Sequence, residues 1–407
     1  MLNDLWLLVS GIVIFIGLVA SQGLLIVVGS LVIMVWLLTK FWDRHAFQEV
    51  THTRTLSSHR AFIADTVEYT VTLSNEKILP LIWVDIQDTF PADLGLPGAN
   101  LRGAGSEVTR EHRITTSLLP YQRVSWKYNL QCRARGYHRL GPVRLRTGDI
   151  FGFTAAEARF PEVDHILVYP RIVDLQQLIL PSEHPLGEGR GQQPIYQDPS
   201  RFFTLRDYYP TDPMKHIDWK ATARRSSLQT KIFEPVVSLN VLIALNARTG
   251  EHAWQGSNRR LFERAVTVAA SVAKYCADRG YSFGLVSNAV AVYTGRWVNI
   301  PLSSSETQIG LVLEALAMAG SYAVTSLPEV LRAERDSTPA GATIALVTAA
   351  MTTPLVEEIR EIKDRGYQVI VFYAGDGGPE TSVPNVPTYL MGRALEGLEK
   401  DEPVLAQ

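Results

Sequence analysis

The chain has 407 residues, with 39 Lys+Arg against 41 Asp+Glu and a formal net charge of −2. So even a balance excludes bulk electrostatic affinity for nucleic acid, and the length exceeds what one ordinary core organises, so two or three domains are expected. The two cysteines, Cys132 and Cys276, fall in segments assigned below to different domains and build neither a disulfide framework nor a CxxC metal site.

Two apolar runs open the chain, Leu5–Ala20 and Leu24–Leu38, separated by the short turn "SQG". Each run gives about 24 Å of helix at about 1.5 Å per residue, slightly short of a hydrocarbon core of about 30 Å, so flanking residues must complete the span. Trp6, Trp36, Phe41 and Trp42 suit the membrane interface. Only Asn3 and Asp4 precede the first run, so the basic n-region of a cleavable signal peptide is missing and an uncleaved transmembrane hairpin over 1–44 is expected. Lys40, Arg44 and Arg54 follow the second run whereas the turn carries no charge. The positive-inside rule then puts both ends and the soluble domains on the cytoplasmic face of the inner (plasma) membrane, a compartment that suits unpaired thiols.

From Phe62 to about Pro170 the pattern alternates. "DTVEYTVTLSN" places Val67, Tyr69, Val71 and Leu73 on one face, and further alternating runs are punctuated by Pro and Gly. Six or seven short strands predict an immunoglobulin-like antiparallel β-sandwich over 45–175. Within it, "RARGYHRLGPVRLRTGDIFGF" reads as a basic exposed hairpin. His45, His52 and His59 recur every seven residues, a spacing that would align them on a helix but is too sparse for metal ligation.

Beyond Val236, buried strands "VVSLNVLIALN", "SFGLVSNAV", "ATIALVTAA" and "QVIVFYAG" alternate with amphipathic helices closed at Gly280 and Gly366. This predicts a doubly wound α/β domain over 236–380, with its chemistry at the carboxyl ends of the strands. "GEGRGQQ" (187–193) has neither a preceding strand nor a Lys-Ser/Thr ending and reads as a loop rather than a phosphate cradle. Residues 381–407, rich in Gly and Pro, are expected to form a flexible tail.

The central segment, 176–235, holds "FFTLRDYYPTDPMKHIDWKATARRSSLQTKIFE". Asp212–Pro213 reads as an N-cap and first-turn pair that starts a helix at Pro213. Lys220 and Arg224 then project together, with Asp218 on another face. A catalytic pairing of Asp218 with His216 fails because alternate helical residues point apart. A phosphate or nucleic-acid surface of Arg206, Lys220, Arg224 and Arg225 lacks interleaved aromatic residues. The favoured reading is a partner-binding or interdomain seam of Arg206, Asp212, Asp218, Trp219, Lys220 and Arg224. In it Asp207, Asp212 and Asp218 fix the arginines and Trp219 packs the helix against the α/β domain.

The strand order and the loop after the first α/β strand resemble the von Willebrand factor A domain. In that family an Asp-x-Ser-x-Ser loop, a Thr and an Asp hold a divalent cation. The resemblance places Asn246, Arg248 and Gly250 at the loop positions and Thr348 at the Thr position, a degenerate set from which no metal and no cofactor are expected. Across the whole chain, the apolar helices, "GPVRLRTGDIFGF", the central motif and the A-type domain together resemble the bacterial membrane-protein family known as domain of unknown function 58. That resemblance implies a partner-binding role beside a cytoplasmic AAA+ ATPase of the MoxR group, with no established enzymatic activity. The expected function is therefore a membrane-anchored, non-enzymatic scaffold or adaptor engaging a cytoplasmic protein, with cell-envelope maintenance as the process its location suggests and no nucleic-acid partner. The alternatives are a metal-dependent adhesion or ligand-binding module and a hydrolase or phosphate-binding protein that uses the basic central motif.

Overall fold

The computed structural model describes residues 2–103, 108–148, 155–175, 197–209, 214, 217–225, 227–235, 240–250, 256–291, 295–379 and 381–400. The chain divides into two compact units, Met1–Pro170 and Arg171–Gln407. The "GEGRGQQ" loop, Asp212, Pro213 and His216 lie outside the described residues.

Unit one opens with helices α1 (Leu2–Val19) and α2 (Gly23–His45), which pack side by side. Glycines allow the approach: a Cβ on Gly29 would stand 2.5 Å from Ile14 Cγ1, and one on Gly17 2.9 Å from Leu25 Cβ. Among the described residues one helix, α2, is long and apolar enough to cross a membrane; the apolar part of α1, Trp6–Val19, is shorter.

The rest of unit one is β-structure: β1 (Val50–Leu56), β2 (Arg60–Phe62), β3 (Thr66–Asn75), β4 (Leu81–Pro91), β5 (Leu94–Gly95), β6 (Leu101–Gly103), β7 (Thr109–Leu118), β8 (Arg123–Cys132), β9 (Gly136–Leu140), β10 (Val143–Gly148), β11 (Ala155–Phe160) and β12 (Asp164–Tyr169). They form sheets β1-β3-β8-β5, β11-β10-β4-β7-β6 and β2-β12-β9. The core is filled by alternate residues, Val67, Tyr69, Val71 and Leu73 of β3 against Val84, Ile86 and Phe90 of β4.

Three expectations are corrected here. Among the described residues twelve strands replace the six or seven expected, and one pair, β2 with β12, is parallel. The basic hairpin does not form, because β9 pairs with β12 while β10 pairs with β4 and β11. The histidine heptad is not helical, since His45 ends α2, His52 lies in β1 and His59 just precedes β2; inside the sandwich the two-residue strand period overrides the heptad spacing.

Unit two begins with a hairpin, β13 (Gln197–Asp207) and β14 (Gln229–Pro235), whose connection carries the short helix α3 (Trp219–Arg225). An α/β alternation follows: β15 (Asn240–Leu245), α4 (Arg259–Asp278), β16 (Ser282–Ala291), β17 (Trp297–Ser303), α5 (Gln308–Met318), β18 (Ala319–Ala323), α6 (Leu327–Ala333), β19 (Thr343–Thr348), α7 (Thr353–Asp364), β20 (Gln368–Tyr373), β21 (Thr388–Leu390) and α8 (Gly392–Lys400). The sheet runs β17-β16-β15-β19-β20-β21, parallel except for the antiparallel edge strand β17, with β18 added against β16. Its central strands β15 and β19 are buried along almost their whole length and apolar in their interiors, Val241–Leu245 and Ile344–Val347, as strands of a covered parallel sheet must be. Gly280 and Gly366, with φ of 67° and 91°, take the left-handed turn just past α4 and α7.

The flexible-tail expectation is corrected as far as Lys400. Strand β21 extends the sheet parallel to β20, α8 follows, and Val383, Met391 and Leu395 are buried. Three apolar anchors among turn residues are enough to order a segment whose average composition is polar.

Candidate functional site

At the carboxyl ends of β15, β16 and β19 three polar side chains meet below the surface. Asn246 Nδ2 donates to Thr348 Oγ1 at 3.1 Å, Asn288 Nδ2 donates to Asn246 Oδ1 at 3.2 Å, and Asn288 Oδ1 accepts the Ala247 N–H at 2.7 Å. The remaining capacity is used locally. Asn246 Oδ1 also accepts the Arg248 N–H at 3.1 Å, Asn288 Nδ2 reaches the Thr325 carbonyl at 3.0 Å, and Thr348 Oγ1 donates to the Ala350 carbonyl at 2.7 Å. All three residues are buried, so this mutual satisfaction is what makes the burial tolerable.

Above the network opens a cavity of about 320 Å³. Arg248, Glu329, Arg332 and Thr352 contribute its polar lining, and Leu327, Pro328 and Leu355 its apolar wall. Arg332 is engaged with buried Glu358 at 2.6 Å, and Glu329 accepts from Thr325 Oγ1, which with Ser326 holds its carboxyl below the usual range. Among the described residues no carboxylate pairs with Arg248. The cavity thus combines an apolar wall with a guanidinium that has no carboxylate partner among the described residues, a surface suited to an anionic side chain.

The residues present do not fit the divalent cation that the A-domain resemblance implies. The oxygens of Asn246 and Thr348 are committed to N–H donors, the lone lining carboxylate is Glu329, and the two guanidiniums lining the same space oppose a cation. Gly250 follows in the loop after β15 and does not line the cavity.

The central segment differs from its expected form. The helix starts at Trp219, and its cap is Asp218, whose Oδ1 accepts the Ala221 N–H at 3.0 Å while its carbonyl accepts Thr222 N–H at 2.9 Å. The Ala221 N–H, and then Lys231, hold the Asp218 carboxyl below its usual range. Asp218 pairs with Lys231 at 3.5 Å rather than with an arginine, and Asp207 accepts from Gln229 Nε2. Arg206 stacks over Tyr209 at 5.0 Å. Trp219 is 67% exposed, so its indole is not packed against the α/β sheet, and Lys220 and Arg224 are exposed as well. Bonds from Asp218 N to the Gln229 carbonyl at 2.9 Å and from Gln229 N to Thr222 Oγ1 at 3.0 Å pin α3 along β14.

The A-domain resemblance placed Asn246, Arg248 and Thr348 at this strand-end site, while Asn288 and Glu329 were not among the candidate residues. The signal for Asn288 was its position after the apolar run of β16. Glu329 carried no signal, because α6 is a seven-residue helix without periodicity.

Residues 204–390 match the family model described as "Protein of unknown function DUF58". "Uncharacterized protein YeaD" of Bacillus subtilis (strain 168) is 29% identical over 286 residues, covering 69% of this chain and 65% of that protein. The chain therefore spans just under two thirds of that relative's length. The family model covers just under half of the chain, and both matches are to proteins of unknown function. Among solved structures, the C-terminal part of Escherichia coli alpha-2-macroglobulin aligns with 30% of this chain and 17% of that one, at 17% identity and a TM-score of 0.23. The sporulation control protein Spo0M of Bacillus subtilis aligns with 30% of this chain and 49% of its own, at 15% identity and a TM-score of 0.17. Likenesses of this size carry no argument about fold or function.

Proposed function

We propose that the protein is a membrane-anchored, non-enzymatic adaptor. In this reading α1 and α2 form the transmembrane hairpin, unit two is a von Willebrand factor A-like domain on the cytoplasmic side of the inner membrane, and its strand-end cavity receives an acidic side chain of a protein partner. The partner we favour is a MoxR-type AAA+ ATPase. The observation that carries the reading is Arg248: a guanidinium with no carboxylate partner among the described residues, lining a cavity whose neighbouring Asn246–Asn288–Thr348 network uses its donors and acceptors internally. A metal-dependent adhesion module is disfavoured by that same network, and a hydrolase centred on Asp218 by the commitment of its carboxylate to capping α3.

The test is co-purification of the full chain in nanodiscs with the purified MoxR-type ATPase of the same organism, comparing wild type with Arg248→Glu. Charge reversal is expected to abolish retention while leaving the melting temperature in place. Retention unchanged by the substitution would sink the cavity as the docking site, and no retention by wild type would sink the choice of partner.

A further inference from the structure

At the end of the sandwich where α2 enters it, the chain leaves the helix without a linker. Ala46 is wholly buried, Phe47 packs against the sandwich core, and β1 begins at Val50. Lys77, in the β3–β4 loop, donates from its ammonium to the Ala46 carbonyl at 2.6 Å and the Gln48 carbonyl at 2.8 Å. The Glu76 N–H reaches the Glu49 carbonyl at 2.9 Å. The β7–β8 loop is tied to the same place: Asn75 Nδ2 bridges the Leu79 and Leu119 carbonyls at 3.0 Å each, and the Tyr121 N–H donates to the Lys77 carbonyl at 3.3 Å. Two loops distant in sequence are thereby fastened within a lysine's length of the residue that follows α2.

These loops display apolar side chains where water would be the default neighbour. Ile78 is 76% exposed, Leu119 66% and Tyr121 70%; Ile82 and Trp83, consecutive and both outward-facing at the irregular start of β4, stand beside them. Elsewhere on the described β-structure of unit one, Phe62 and Val108 are the exposed large hydrophobics. Tyr121 also holds φ at 55°, a left-handed position that Gly or Asn would occupy at lower cost. A patch of this kind at one end of a domain marks an interaction surface, and Trp and Tyr beside aliphatic side chains suit the boundary between headgroups and hydrocarbon.

We propose that this tip dips Ile78, Leu119 and Tyr121 into the interfacial layer of the bilayer that α2 crosses, with Trp83 flanking them, so that the sandwich rests on the lipid surface. The inference builds on the anchoring reading above. Membrane lipid is the occupant because α2, a 23-residue apolar helix, ends at His45, one residue before the carbonyl that Lys77 grips. Exposed Glu49 and Glu76 share this end, so the contact rests on apolar burial rather than on attraction to anionic lipid.

The experiment is site-directed spin labelling of the full chain in zwitterionic nanodiscs. Labels are placed singly through Ile78→Cys, Leu119→Cys and Tyr121→Cys, with Leu31→Cys on α2 as a lipid control and Ser58→Cys, in the turn after β1 at the opposite end of the sandwich, as a water control. Native Cys132 and Cys276 are buried and compete little for the label. The three tip labels are expected to collide several-fold more with dioxygen than with a water-soluble nickel chelate, as Leu31 does, and Ser58 to show the reverse. Tip labels as water-accessible as Ser58, beside a lipid-exposed Leu31, would overturn the tip contact and leave the anchor standing. A water-accessible Leu31 would overturn both. Tip labels shielded from both reagents would mean that a protein covers the patch, and the proposal would fall.

Discussion

Arg54 donates from Nη1 to Asp88 Oδ1 at 3.1 Å, with the two side chains only 2% and 1% exposed, so a full ion pair is sealed inside the sandwich. Tyr69 donates its hydroxyl to the other Asp88 oxygen, and Arg54 also meets Asp164 at 3.1 Å and the Glu162 carbonyl. Such a pair contributes little net stability against a well-packed apolar replacement, yet losing one member strands a buried charge. Arg54→Leu should therefore destabilise unit one by about 3–5 kcal/mol, and adding Asp88→Leu should recover a large part of that loss. Urea denaturation of the four members of this double-mutant cycle checks it; additive losses would show that the two residues act independently.

The pH dependence of the same unit is expected to come from histidine. Both ring nitrogens of buried His112 lack a hydrogen-bond partner, and burial lowers its pKa to about 4; His52, likewise buried and near Arg54, is also lowered to about 4. With the folded pKa below the unfolded value of about 6.5, the unfolded chain binds more protons between those values. The histidine contribution is thus complete above about pH 6.5 and is lost as pH falls toward 4, by ~3 kcal/mol for each histidine; burial raises Asp88 to about 6, and that group contributes in the opposite sense below pH 6. His112→Phe, which keeps a ring against Tyr128, should make stability fall less as pH drops through that window, by about 3 kcal/mol. An unchanged slope would show that His112 does not titrate there.

At the central helix, the role of Asp218 separates architecture from chemistry. Asp218→Asn retains an oxygen able to accept the Ala221 N–H and should leave the helix formed, while Asp218→Ala removes the cap and should lower amide protection over 219–225. Hydrogen exchange followed by mass spectrometry reads this directly. Equal loss of protection in both variants would point to the Lys231 ion pair as the stabilising contact instead.

Millimolar Mg²⁺ or Ca²⁺ should leave the melting temperature of the protein unchanged, because a ligand of the native state would raise it by mass action. Asn246→Ala, which removes the hydrogen bonds to Thr348, Asn288 and the Arg248 N–H, should cost about 1–3 kcal/mol whether or not metal is present. A saturable, metal-dependent rise abolished by Asn246→Ala would reverse this view of the strand-end site.

What was legible in the sequence followed the range of the forces involved. The inward row Val67, Tyr69, Val71 and Leu73 and the closing glycines of α4 and α7 are local signals, and they appear in the structure where expected. Strands β17 and β21 escaped because one carries Pro301 at a sheet edge and the other has only three residues; their pairing is decided by the strand beside them. The expected helix start at Asp212–Pro213 lies outside the described residues; the helix described here, α3, begins after Asp218, where main-chain and Thr222 hydrogen bonds to Gln229 hold the backbone. At the strand ends, it was the A-domain resemblance that led to Asn246 and Thr348; it gave no role to Asn288, whose partners lie 41 or 42 residues away in sequence, at Ala247 and Asn246.

Because Ala46 is buried and Lys77 clasps the carbonyls of Ala46 and Gln48, α2 and the sandwich share one mechanical frame without a swivel between them. A change in helix tilt, such as a bilayer of different thickness imposes, would be passed on as a rotation of every strand in unit one. Conversely, with α2 in the bilayer as proposed above, a lateral pull on the sandwich would become a torque on that helix, with the lysine clasp as its fulcrum.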